Sequence, residues 1–162
     1  MNRSALSLWV HTTALLDKGL SPLVLLLFRL SVAIAFWRAG VVKFDDPYGT
    51  HYLFSEEYQV PLLSASVAAW LATWTELVMP WFLVLGLAMR PVAAYMFVYN
   101  LIAVISYPAL WPHGFWHGLI GNDFSDHKAW GLMLLALLAW GAGRWSLDAV
   151  LARLVHRSNH SA

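Results

Sequence analysis

Residues Pro22–Phe44 read PLVLLLFRLSVAIAFWRAGVVKF, with Arg29, Arg38 and Lys43 as the only charges. A run of this length and apolarity is long enough to cross a hydrocarbon core, which takes about 20 residues of helix. Three further apolar stretches follow it: about Leu62–Ala88, Pro91–Tyr107 and His127–Gly143. The whole chain agrees with that reading. It has 162 residues, of which 60% are hydrophobic and 12% charged, and its mean hydropathy is +0.60. A soluble domain carries roughly twice that share of charge to cover its core. The expected fold is therefore all-α: an integral membrane four-helix bundle in a single domain spanning residues 1–162, with the lipid bilayer as its first partner.

Outside the spans, two segments read as helices lying at the membrane surface. Ser4–Leu16 carries Leu6, Trp9, Val10 and Leu16, while residues 147–157 repeat Leu147, Val150, Leu151, Leu154 and Val155 at helical spacing beside Arg153 and Arg157. Ser146 can cap that last helix and Asp148 suits its positive end. Thr50–Tyr58 is consistent with a further short helix.

Charge sorts by side. Arg3, Lys18, Arg90, Arg144, Arg153 and Arg157 fall on the side of the termini, against Lys43 and Lys128 opposite. The positive-inside rule then places both termini in the cytoplasm of a multi-pass protein of the cytoplasmic (inner) membrane. The long loops 45–61 and 108–126 become exoplasmic.

The chain contains no cysteine. That excludes a disulfide, a Cys-x-x-Cys redox pair, an iron–sulfur cluster and a covalent haem. A net charge of +1 without a basic run gives no nucleic-acid signal.

An ionisable group inside a span costs roughly 2.5–3.5 kcal/mol near mid-membrane, so it faces partners or water. Arg29 lies 15 residues before Phe44, and Glu76 lies 14 residues after Leu62. Counted from a shared turn, the two stand at one depth, and an Arg29–Glu76 ion pair is expected. It either fixes helix register or organises a proton- or ligand-handling site. Arg29, Ala33, Phe36, Gly40 and Lys43 share one stripe of the first span; Arg38 points away from it. Tyr99 and Asn100, midway along the third span, either hold helices together or bind a polar headgroup.

Four of the seven histidines, His51, His113, His117 and His127, fall on the exoplasmic side; His11, His156 and His160 fall opposite. His113 and His117 have a chelating spacing if helical, but Gly114 and Gly118 work against a helix there and no acid completes a motif. No metal site is expected. His127 follows Asp126 and opens the fourth span near Lys43. Trp37, Trp111, Trp116, Trp130, Trp140 and Trp145 read as interfacial belts. Trp70, Trp74 and Trp81 lie deeper and read as core, or as a wall for a quinone ring.

The pattern resembles the DoxX family of small four-helix membrane proteins. The resemblance runs through Leu27-Phe28-Arg29-Leu30, Gly40-Val41-Val42-Lys43-Phe44, Leu53-Phe54 to Glu57-Tyr58, and Val60-Pro61-Leu62-Leu63. It continues in Glu76, Gly86-Leu87, Arg90, Asp126-His127, Trp130 and Gly141–Asp148, covering about residues 23–151. The Leu-Phe-x-x-Glu-Tyr-x-Val-Pro run is most similar to a proteobacterial branch that accompanies biosynthesis of copper-binding modified peptides. Trp111–Phe124 departs from the family pattern in being longer and richer in His and Trp.

The resemblance implies an accessory component of a redox or metal-stress system, quinone-linked, such as a subunit of an oxidoreductase. Glu76 and His127 are then the candidates for proton exchange, and Arg29, Lys43, Glu76, Tyr99 and Asn100 for holding a quinone. Membrane or exoplasmic protein partners and an oligomer fit the same picture. A non-catalytic scaffold and a small transporter stay open as alternatives.

Overall fold

The computed structural model describes residues 3–159, so His160 lies outside the described residues. The chain forms seven α-helices and one 3-10 turn among these residues: α1 (Arg3–Asp45), α2 (Pro47–Glu56), α3 (Ala65–Leu85), α4 (Met89–Ser106), a 3-10 turn (Pro108–Leu110), α5 (Phe115–Ile120), α6 (Ser125–Trp140) and α7 (Leu147–Asn159). Helices α1, α3, α4 and α6 make the bundle, with α1 packed on α3 and α6, and α4 packed on α6. Three of them, α1, α3 and α4, are long and apolar enough to cross a membrane. The fourth, α6, has 16 residues. The bundle is an all-α membrane fold.

The core is apolar and built from narrow side chains where helices approach closely. Val32, Ala33, Phe36, Leu83, Ala93, Met96, Leu134 and Leu137 are buried between the four helices. A Cβ on Gly40 would lie 2.9 Å from the backbone carbon of Glu76, so α1 and α3 touch there through a missing side chain.

The N-terminal surface helix expected over residues 4–16 is not a separate element. Helix α1 runs unbroken for 43 residues with Pro22 inside it. Proline removes one i→i−4 bond, which a long helix tolerates when its neighbours hold the next turns. Here Gly143 packs against Pro22 and Leu25. Helix α2 forms where a short helix was expected, and Asp46 caps it by accepting from the Gly49 backbone N–H at 2.8 Å.

The turn between α3 and α4 is held from the C-terminal segment. Gly86 and Ala88 both adopt left-handed backbone, at φ 66° and 49°. The Asp148 carboxylate accepts from the Ala88 and Met89 N–H groups, each at 2.8 Å, and the Asp148 N–H donates to the Gly86 carbonyl at 3.0 Å. One side chain thus satisfies two unpaired donors at the start of α4. Asp148→Ala should cost about 1–2 kcal/mol, the usual loss for a helix cap. The check is a lowered melting temperature in detergent, followed by tryptophan fluorescence; an unchanged transition would show the cap to be dispensable.

Candidate functional site

On the end of the bundle opposite the termini, a cavity of about 360 Å³ lies between α1, α3, α4 and the start of α6, roofed by α2 and the loop after it. Its walls are largely apolar, from Phe36, Ala39, Ala68, Ala72, Val60 and Trp130. Leu71, Tyr95, Val98 and Ile102 line the cavity and are also exposed on the outside of the bundle. The cavity therefore opens sideways between α3 and α4. The Thr75 and Tyr95 hydroxyls meet at 2.7 Å across that gap.

The polar groups converge on Glu76. Its Oε2 lies 2.6 Å from Lys43 Nζ, and its Oε1 accepts from the Tyr99 hydroxyl at 2.7 Å. The Glu76 and Lys43 side chains are 7% and 14% exposed, so this ion pair is shielded from solvent on both sides. A buried carboxylate needs such partners, since its desolvation is otherwise uncompensated. Phe36 packs edge-on to Tyr99 at 5.9 Å and against Trp130 at 5.3 Å, fixing the wall beside the cluster.

His127 and Asn100 form a second polar pair. Asn100 Nδ2 donates to the His127 carbonyl at 3.0 Å, which orients the amide and leaves its Oδ1 facing His127 Nδ1 at 2.8 Å. Because that oxygen can only accept, Nδ1 carries a proton and Nε2 is the free nitrogen. His127 lines the main cavity and also a second one of about 300 Å³ between α4, α5 and α6. Trp130 sits edge-on to its ring at 4.8 Å.

The expected Arg29–Glu76 pair does not form. Arg29 lies near the terminal end of the bundle, buried, with Nη2 donating to the Trp145 carbonyl at 2.7 Å. Its Nε and Nη1 have no hydrogen-bond partner. Nη1 rests against Gly86, the left-handed C-cap of α3, where the carbonyl end of the helix dipole favours a cation. Arg29 is not part of the cavity. The depth count failed because the chain between α1 and α3 is not a tight turn: residues 46–64 hold α2 and a loop. Arg38 is exposed, as its position opposite Arg29 implies.

Tryptophans 70, 74 and 81 are neither core nor cavity wall: they are 61%, 43% and 55% exposed. They face outward, with Trp37 edge-on to Trp81 at 5.2 Å and Phe44 edge-on to Trp74 at 6.4 Å. His113 precedes α5 and His117 lies inside it, their rings 5.9 Å apart. Among the described residues no cluster of three metal-ligating side chains forms.

Several site residues had no sequence signal of their own. Ser106 is 1% exposed, lines the cavity and has a hydroxyl without a partner. Tyr95, Ile102 and Ser106 stand four before, three after and seven after Tyr99, the spacing of one helical face, which is the pattern that would have found them. Tyr58 stacks between Phe54 and Tyr107, each at 4.6 Å, and roofs the cavity. Burial first, and then the nearby Glu76 carboxylate, push its hydroxyl up to about 12, so it remains a neutral donor. Tyr107 is raised too, by its hydrogen bond to Glu57. Lys128 closes the C-terminal end of α5, donating to the Gly118 and Gly121 carbonyls at 3.0 and 2.5 Å.

The DoxX family model matches residues 24–109, which is more than half of the chain. The chain belongs to the DoxX family. The matched segment carries Lys43, Glu76, Tyr99, Asn100 and Ser106, and so most of the cavity, whereas His127 lies beyond it. No curated protein and no solved structure matched the chain.

Proposed function

We propose that this DoxX-family membrane protein binds a quinone taken from the bilayer, as an accessory component of a redox or metal-stress system. The observation that carries the reading is the sideways-opening cavity with a shielded Lys43–Glu76–Tyr99 cluster inside it. Its volume is in the range of small-molecule sites, with apolar walls and a few convergent polar groups. The donor set suits a ring carrying two oxygens. Lys43 Nζ and the unpartnered Ser106 hydroxyl, both lining the cavity, can donate to ring oxygens, and His127 Nε2 can accept a proton from the hydroxyl form. When bound, a quinone supplies two-electron chemistry coupled to proton uptake.

Each residue's part follows from its position. Lys43 and Tyr99 hold the Glu76 carboxylate in place. Asn100 fixes the His127 tautomer, and Phe36 with Trp130 excludes water from the polar cluster. The charge distribution supports an inner-membrane orientation with both termini in the cytoplasm, so the cavity lies toward the exoplasmic face. The Leu53–Pro61 run supports placing the chain with the copper-peptide branch, where an exoplasmic protein partner would exchange electrons with the bound ring.

The test is organic extraction of the gently purified protein with mass spectrometry for quinones, beside an unrelated membrane protein. Stoichiometric quinone, reduced at least tenfold in Glu76→Gln of normal fold, is the expected result. Background quinone with unchanged quinone-linked activity in Glu76→Gln would instead favour a scaffold.

A further inference from the structure

Helix α1 is too long for the bundle it serves. Its 43 residues span about 65 Å, twice the roughly 30 Å of a hydrocarbon core. The bundle stops holding it at Pro22 and Leu25, where Gly143 packs. The preceding turns project beyond the bundle with Leu6, Trp9, Leu16 and Leu20 all exposed. Such side chains need a cover.

The sequence supplies a register for one. Leu6, Thr13, Leu20, Leu27 and Ile34 fall at successive a positions of a heptad, and Trp9, Leu16, Leu23 and Leu30 at the d positions. Alternating spacings of three and four residues hold without a break over four heptads, the mark of a coiled-coil seam. Seven of these nine side chains are at least 40% exposed. No charge stands at an a, d or g position from Leu6 to Ile34. At 100° per residue the seam lies about 150° around the helix from Arg29, Ala33, Phe36 and Gly40, which face the bundle. It is the outward face.

We infer that α1 pairs in parallel with α1 of a second copy of this chain, along the seam Leu6–Ile34. Copies share one orientation in a membrane, so a two-fold axis along the membrane normal brings identical outward faces together. The exposed seam offers on the order of 600 Å² per copy, or about 1,200 Å² for the pair, the lower end of specific interfaces. A helix resting on the lipid surface would instead turn at Pro22 and would need no common phase on both sides of it. The phase is common, and His11 and Lys18 stand at f, away from the seam.

Because the chain has no cysteine, single substitutions report without background. Full-length Leu16→Cys, Leu20→Cys and Leu23→Cys, mildly oxidised in native membranes, should give a disulfide-linked product of twice the chain mass. The yield should be at least fivefold above that of Leu15→Cys and Lys18→Cys, which sit off the seam. A smaller difference, no product at the seam positions, or a product of any other mass would overturn the pairing. Lipid covering the same face would give the second of these results.

Discussion

Lys43→Met should destabilise the bundle by about 3–5 kcal/mol, the cost of stripping one partner from a buried ion pair. In a chain of this size each kcal/mol is worth roughly 2–4 °C in melting temperature, so the loss is readable by tryptophan fluorescence in detergent. The sharper result is the double variant. Glu76→Gln added to Lys43→Met removes the stranded carboxylate while keeping an acceptor for the Tyr99 hydroxyl, 2.7 Å from the native Oε1. The pair should recover more than half of the loss, because apolar or neutral replacement of both partners avoids the desolvation penalty that a lone charge incurs. If the double variant is no more stable than Lys43→Met alone, the carboxylate is not what the lysine compensates.

Gly86→Val should cost about 3 kcal/mol or more, from two separate sources. A side chain at left-handed backbone, here φ 66°, is unfavourable by roughly 1–2 kcal/mol. The added Cβ would also overlap Arg29 Nη1 and come within 2.5 Å of Ser146 Cβ, and overpacking of this kind costs about 1–3 kcal/mol more. Arg29→Leu in the same chain takes away the first obstruction and leaves the backbone term. The two substitutions should therefore be less than additive by about 1 kcal/mol, the signature of residues in contact. Full additivity would mean that Gly86 is needed only for its backbone angle.

Much of the fold was legible because it rests on local patterns. Pro22–Phe44 alone predicts a membrane helix, and the spacing of Leu147 to Val155 predicts α7. Depth across the bundle was not legible, because it depends on a connection whose geometry no local pattern fixes. Gly40 faces Glu76 and Gly86 faces Arg29, so Asp45 lies level with about residue 71. Helix α3 thus continues some six residues, or roughly 9 Å, past the end of α1. Counting from Leu62 placed Glu76 too deep by that overhang and by the loop before Ala65. The same offset brings Lys43, one turn above Gly40, within reach of Glu76. At the site, Lys43, Glu76, Tyr99, Asn100 and His127 were each visible as polar groups out of place, but their pairing was not. Ser106 and Thr75 were silent, since small hydroxyls in a helix usually bond their own backbone.

The opening between α3 and α4 changes what a concentration means for this protein. Anything that enters past Leu71, Val98 and Ile102 arrives through the acyl chains, so its supply is set by its mole fraction among the lipids rather than by its amount per litre of buffer. Half-saturation should move with the lipid-to-protein ratio when ligand is added from water, and stay fixed when it is counted per lipid molecule. If the cavity takes a ligand as proposed, a competitor would gain occupancy there by dissolving well in the membrane, even where its own polar contacts are no better.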